Sequence, residues 1–254
     1  MRERRVIWLV RHGERVDNID GNWKKTASRW DDPPLSARGE QQAQEVGERL
    51  ARESISAVFS SPFTRCVQTA AAILREQPPS TRPSLRIEGG LAESLNACNN
   101  PPGRPSQQQI RTVWAEIDDS YAAVYDVLPA EYGGDIGCYQ RVSNTVKHLL
   151  DSTSGNIIIV SHGSPIAAIH LFLTSRWGYV GQCSLSRVVQ TDCGSFRSTI
   201  LGDSSHLRDR SNLHSEQSKS GEREKALALE EKVRAERRRE KERTDPLSLP
   251  ESDM

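Results

Sequence analysis

Four short stretches of the 254-residue chain carry side chains suited to handling a phosphate group. Arg11-His12-Gly13-Glu14-Arg15, with Asn18 just beyond, sets an imidazole between two guanidinium groups. Ser60-Ser61-Pro62-Phe63-Thr64-Arg65-Cys66-Val67-Gln68-Thr69 adds Arg65, Gly89-Gly90-Leu91-Ala92-Glu93 ends in a carboxylate, and Ser161-His162-Gly163-Ser164-Pro165 supplies a second imidazole. A guanidinium meets phosphate oxygens through two parallel hydrogen bonds, so Arg11 and Arg65 could neutralise and orient a dianion. An imidazole could then accept the phosphoryl group, replacing one difficult displacement with two easier ones. Arginines and a second, protonated histidine would hold the charge that develops on the equatorial oxygens, a scheme that calls for no metal and no cofactor. A carboxylic acid beside the leaving oxygen would supply its proton.

In an open parallel sheet, ligands gather at the carboxyl ends of the strands, and each of these stretches follows an apolar run. Val6-Ile7-Trp8-Leu9-Val10 is apolar throughout, which predicts a strand covered on both faces. Ala57-Val58-Phe59 and Ile157-Ile158-Ile159-Val160 have the same character, and Leu85-Arg86-Ile87 is a weaker fourth strand. Ser36 is placed to cap a helix over 37–52 with Ala43, Val46 and Leu50 on one side, and a further helix is expected over 69–75. Ile110, Val113, Ile117, Tyr121 and Val124 are spaced by three or four, predicting a helix over 106–128; another is expected over 139–151. The segment 166–173 is apolar almost all round and should be a buried helix. Alternating strands and helices argue for a mostly parallel sheet with helices on both faces. The Pro-, Asn- and Gly-containing loops 21–34 and 96–109 are long enough to suggest a role at a site.

Leu9-Val10-Arg11-His12-Gly13-Glu14, then Pro34-Leu35-Ser36-Ala37-Arg38-Gly39-Glu40-Gln41-Gln42-Ala43, then Ser60-Ser61-Pro62 with Arg65 and Gln68-Thr69-Ala70, then Ser161-His162-Gly163 follow one another in that order. This set resembles the signatures of the histidine phosphatase (phosphoglycerate mutase-like) superfamily. The resemblance implies a three-layer α/β/α sandwich around a mostly parallel sheet, with His12 as the phospho-accepting histidine. It implies that Arg11, Arg65 and His162 form the rest of the phosphate pocket and that Asn18 is a polar phosphate contact. Residues 11–17 and 65–70 further resemble the branch of suppressor-of-T-cell-receptor-signalling and ecdysteroid-phosphate phosphatases, which implies an additional active-site arginine at Arg15 and an active-site glutamate at Glu93. The resemblance covers roughly residues 5–200. Neither a ubiquitin-binding nor a peptide-binding module is recognisable, and the region after Asp203 has no counterpart in the branch, so the branch's partners are not carried over.

Glu88 is a rival to Glu93 for the acid role. His170 lies within an apolar helix and reads as a core or supporting histidine, while His148, His206 and His214 read as surface residues. Cys66 lacks the Cys-x5-Arg spacing of a thiol phosphatase, and Ser164 lacks a Gly-x-Ser-x-Gly elbow, so both read as structural.

Lys plus Arg and Asp plus Glu each total 34, so no global field draws the chain to nucleic acid or to an anionic membrane. The longest apolar runs are far short of the roughly 20 residues of a membrane span, and the five residues after the basic start are too few for a secretory leader. Five cysteines, no two closer than ten positions, read as free thiols. A cytoplasmic protein is expected, with Arg237-Arg238-Arg239 as a weak nuclear signal. Charge density doubles after Asp203, and 16 of the 22 residues from Glu222 to Arg243 are charged. Residues 1–203 are therefore expected to form the histidine phosphatase domain, and 204–254 a solvated tail, disordered or a single helix. The expected activity is metal-independent phosphomonoester hydrolysis through phospho-His12, on phosphotyrosine or another bulky hydrophobic ester carried by a small molecule or a phosphoprotein. A phosphoglycerate-type mutase and a catalytically silent phospho-ligand module are the alternatives. Self-association, if any, is expected as a homodimer.

Overall fold

Seven residues, Arg5–Arg11, form the first strand (β1), and every one of them is buried. The computed structural model describes residues 5–216 and 221–244, so Met1–Arg4 and the last ten residues of the charged region lie outside the described residues. The remaining strands are β2 (Ala57–Ser60), β3 (Leu85–Ile87), β4 (Ile157–Ser161), β5 (Leu185–Gln190) and β6 (Phe196–Asp203). The helices are α1 (Trp23–Thr26), α2 (Ala37–Leu50), α3 (Thr64–Arg75), α4 (Gln107–Val113), α5 (Tyr139–Ser152), α6 (Gly163–Thr174) and α7 (Glu222–Thr244).

One six-stranded sheet runs β3-β2-β4-β1-β5-β6. The first four strands are parallel, while β5 joins β1 and β6 joins β5 antiparallel. Alternate side chains of β1 leave on opposite faces: Trp8 and Val10 enter one core with Ala43, Val46, Ala70 and Leu74 of α2 and α3. Ile7 and Leu9 enter the other with Val142, Val146, Ile166 and Ile169 of α5 and α6. The sandwich has three layers, as the resemblance implies.

The Ser36 hydroxyl accepts the Gly39 N–H (3.0 Å), the cap the sequence predicts, although α2 ends at Leu50 rather than at 52. Helix α3 begins five residues earlier than its apolar run suggested. The expected 106–128 helix stops at Val113, and Trp114 turns extended. Beyond it the chain hydrogen-bonds with the edge of β3, Leu85 N–H to the Glu116 carbonyl and Asp118 N–H to the Leu85 carbonyl. The apolar positions beyond Ile110 are half-buried, with Val113, Ile117 and Tyr121 packed against the two cores, and pairing with an open strand edge outweighs a helix standing on its own. Local pattern predicts neither β5 nor β6; five of the eight β6 positions are not apolar, because it is a half-exposed edge strand with little pattern to display.

Packing continues past the change in composition at Asp203. Leu207 is buried, Arg38 reaches Asp209 (2.8 Å) and Ser211, and the Leu213 carbonyl accepts the Gln182 N–H. The charged region holds α7, which lies against the turn 134–138 and the end of α6 with Ala226 and Val233 buried. His206, expected at the surface, is half-buried with Nε2 on the Cys183 carbonyl (3.0 Å).

Candidate active site

The parallel register of β1 with β4 sets Arg11 opposite Ser161, so His12 and His162 leave the sheet side by side. The His12 N–H donates to the Ser161 carbonyl and the Ser61 N–H to the Val160 carbonyl, both at 3.0 Å, which brings the end of β2 to the same place. The His12 and His162 rings meet edge to face, with centroids 5.2 Å apart. His12 Nδ1 lies 2.8 Å from the Gly13 carbonyl, which fixes the proton on Nδ1 and leaves Nε2, buried and without a hydrogen-bond partner, as the free lone pair. Gly13 must be glycine, since a Cβ would stand 2.6 Å from the Gly39 carbonyl where the β1 loop crosses the start of α2. Glu14 is spent on that crossing: its carboxylate takes the Ser36 hydroxyl and Arg38, both at 2.7 Å.

Arg65, on the first turn of α3 and 2% exposed, donates to the Asp31 carbonyl (3.1 Å) and to His162 Nδ1 (3.1 Å), and lies 3.8 Å from the Glu93 carboxylate. Asp32, which takes the Thr64 N–H and hydroxyl, stands behind it at 3.9 Å. Arg11 donates to the carbonyls of Val180 (2.8 Å) and His214 (2.7 Å), and its guanidinium lies over the Tyr179 ring at 5.1 Å. Arg15 turns back to a two-point pair with Asp17 at 2.8 and 2.9 Å. Asn18 Oδ1 accepts the Arg15 N–H and the Gln182 amide, so its oxygen braces the loop that carries Arg15. Glu93 is 3.5 Å from His162 Nδ1, whereas its rival Glu88 is fully buried and taken by the Tyr121 hydroxyl and the N–H groups of Gly90 and Val124. The structure therefore brings Arg11, His12, Arg65, Glu93 and His162 together, with Arg15 at the edge and Asn18 bonded to the Arg15 backbone.

Burial first, and then the Arg65 charge, hold both His12 and His162 well below the usual imidazole range. His162 is thus neutral in this site, not protonated as the sequence reading had it; Nδ1 accepts from Arg65, and Nε2–H donates to the Ser61 hydroxyl at 2.8 Å. Burial pushes the Cys66 thiol up, in keeping with a structural role beside His162. One ring nitrogen each of His12 and His162 and a Glu93 oxygen lie within 4.8 Å of one another, the one such set among the described residues able to ligate a metal. The guanidinium groups of Arg11, Arg15 and Arg65, which act on both histidines, oppose a cation there and favour an anion. Tyr179, Ser61, Gln182 and the His214 carbonyl were not singled out from sequence; only Ser61, inside the Ser60-Ser61-Pro62 signature, carried a signal that could have found it.

The profile of the histidine phosphatase superfamily (branch 1) matches residues 7–198. The human ubiquitin-associated and SH3 domain-containing protein A is 30% identical over 200 residues, 64% of this chain and 30% of that protein. The ecdysteroid-phosphate phosphatase of Drosophila melanogaster is 26% identical over 203 residues, covering 64% of this chain and 26% of that one. The chain thus spans less than a third of the length of these curated relatives. A 2,3-bisphosphoglycerate-dependent phosphoglycerate mutase from Methylobacterium radiotolerans is 26% identical over 185 residues, 66% of this chain and 79% of that protein. In fold, the chain is similar to the ecdysone phosphate phosphatase of Bombyx mori crystallised with tungstate, with TM-score 0.59, 22% identity, and coverage of 86% of this chain and 97% of that one. No described helix is long and apolar enough to cross a membrane.

Proposed function

The chain belongs to the histidine phosphatase superfamily, and from that premise we propose that it hydrolyses phosphomonoesters through a phosphohistidine on His12. The observation that carries this reading is the buried, unpartnered Nε2 of a neutral His12 beside Arg65 and His162. Nε2 attacks phosphorus as the P–O bond to the leaving group breaks, and the Glu93 carboxyl gives its proton to the departing oxygen. Water then attacks the phosphohistidine, Glu93 takes its proton, and phosphate leaves with His12 restored. Arg11 and Arg65 hold the phosphoryl oxygens in both steps; the His162 Nε2–H, now on Ser61, is a further donor that can turn to an equatorial oxygen. An aryl or other bulky hydrophobic ester fits this reading, in line with the phosphatase relatives. No step requires a metal.

The test is a trapping experiment. Protein mixed briefly with labelled substrate and quenched in base should carry acid-labile, base-stable phosphate, and His12→Ala should carry none and turn nothing over. Label retained on the variant, or activity that a chelator removes and a divalent cation restores, would overturn the reading. Interconversion of phosphoglycerates faster than their hydrolysis would make the chain a mutase instead.

A further inference from the structure

We propose that Arg141, with its buried partner Glu131, is a positioning residue for the proton donor Glu93, holding the backbone that carries the carboxyl and so governing protonation of the leaving oxygen. This rests on the phosphatase reading, in which Glu93 is that donor, and deepens it. His12 and His162 leave from the ends of β1 and β4, and Arg65 from the first turn of α3. Glu93 has no such element beneath it: it lies on irregular backbone between two short 3-10 turns, Gly89–Leu91 and Leu95–Ala97. An acid on a loop is placed only as well as the loop is held.

Every carbonyl from Gly90 to Glu93 is taken by a side chain of another element. Arg141, in the first turn of α5 and 1% exposed, donates through Nη1 to the carbonyls of Gly90 (2.7 Å) and Ala92 (2.9 Å) and through Nη2 to that of Glu93 (3.1 Å). The Ser161 hydroxyl donates to the Leu91 carbonyl at 2.7 Å. Arg141 Nε donates to Glu131 Oε1 at 2.6 Å, and Glu131 Oε2 accepts the Leu95 N–H at 2.8 Å, so the pair grips the chain on both sides of Glu93. A Cβ on Gly90 would run into Thr145 Oγ1, which shows how closely the loop lies on α5. Within that frame Glu93 Oε1 accepts the Ser94 N–H (2.9 Å) and Oε2 stands 3.5 Å from His162 Nδ1. Among the described residues, neither Arg141 nor Glu131 bonds a side chain of the site, so both act through the backbone that bears Glu93. Taking two charges out of water offsets most of what their attraction returns, so the pair is a poor device for stability alone. A planar guanidinium holds several oxygens in a fixed fork, and a shift of about 1 Å at a reacting group is enough to cost roughly 100-fold in rate.

The test is the ratio of kcat/KM for benzyl phosphate to that for para-nitrophenyl phosphate. This constant ends at departure of the leaving group, and a benzyl alkoxide needs a proton where a nitrophenolate does not. The ratio is independent of the folded fraction of a preparation, so lost stability alone leaves it unmoved. Arg141→Lys keeps a charge beside Glu131 but gives up the fork, and should lower the ratio by about tenfold or more, toward the roughly 100-fold fall of Glu93→Gln. Arg141→Met combined with Glu131→Gln, which leaves no unpaired buried charge, should do the same. Added to Glu93→Gln, Arg141→Lys should move the ratio by less than about twofold, since the two residues act as one unit. An unchanged ratio in the Arg141 variants, or a further fall of about tenfold on top of Glu93→Gln, would overturn the proposal while leaving hydrolysis through His12 intact. So would failure of both Arg141 variants to fold, which would make Arg141 a stability residue, or hydrolysis of para-nitrophenyl phosphate alone by the unsubstituted protein, which would show that no acid serves the leaving oxygen. Hydrolysis of neither ester by the unsubstituted protein would instead sink the phosphatase reading itself.

Discussion

At the residue scale, the arginines differ by what holds them. Arg65 is fully enclosed and braced by Asp31, Asp32 and His162, so its remaining hydrogen-bonding capacity has one direction to face. Arg15 is about a quarter exposed and half satisfied by Asp17. Arg65→Ala should therefore lower kcat/KM by about 100- to 1,000-fold, the scale of losing a donor to transition-state charge, and Arg15→Ala by about tenfold or less. Equal losses in steady-state kinetics would place Arg15 on the phosphoryl group. Glu93 and Glu88 separate in the same way. Glu93→Gln should slow alkyl phosphates about 100-fold while slowing para-nitrophenyl phosphate far less, because a nitrophenolate leaves without a proton. Glu88→Gln should instead cost stability, since its carboxylate accepts two N–H groups and the Tyr121 hydroxyl inside the protein.

At the element scale, α7 docks with little apolar surface. Glu222 accepts the Asp135 N–H (2.8 Å), Glu230 accepts the Trp177 N–H (2.9 Å), and Arg234 and Arg237 reach the carbonyls of Ser175 and Phe172 at the end of α6. Arginines at carbonyls that a helix leaves unpaired complement both the hydrogen bonds and the dipole. The turn it grips also carries Asp135, which accepts from Asn96, three residues beyond Glu93. Removing residues 217–254 should lower Tm by several degrees, for a loss of about 2 kcal/mol, and the difference from the full chain should narrow at high salt. An unchanged melting curve would mean that α7 contributes no net stability. Cutting back to Asp203 should do more, because it also takes away the His214 carbonyl that holds Arg11.

Across the whole molecule, buried histidines tie stability to pH. Burial alone holds His170 at about 4, against about 6.5 for an unhindered imidazole. Its Nε2 is enclosed without a partner. The unfolded chain takes up this proton at the higher pH, so the contribution is complete above about 6.5 and is lost as pH falls toward 4, by up to about 3 kcal/mol. His12 and His162, also depressed, act in the same direction. Denaturant midpoints should fall over this window, and His170→Leu should flatten the fall without abolishing it. An equally steep fall in His170→Leu would remove His170 from the account. The same depression keeps His12 neutral, so the acid limb of kcat/KM should lie below pH 6.5.

The central strands, the Ser36 cap and the set Arg11, His12, Arg65 and His162 were legible in the sequence, because each is written in neighbouring residues: an apolar run, a capping hydroxyl, a motif at a strand end. Glu93 over Glu88 was legible only as a resemblance. Tertiary structure separated them by burying Glu88 against Tyr121 and leaving Glu93 beside His162. It also ended α4 at Val113 by offering the edge of β3, and added β5 and β6 where local pattern is weak. The protonation of His162 depends on enclosure and on Arg65, 97 positions away, and the aim of Arg11 on a carbonyl 203 positions away. Residue types fix which chemistry a chain can perform; desolvation and distant partners fix the charge state and direction of each group, and these exist only once the sheet has closed in register.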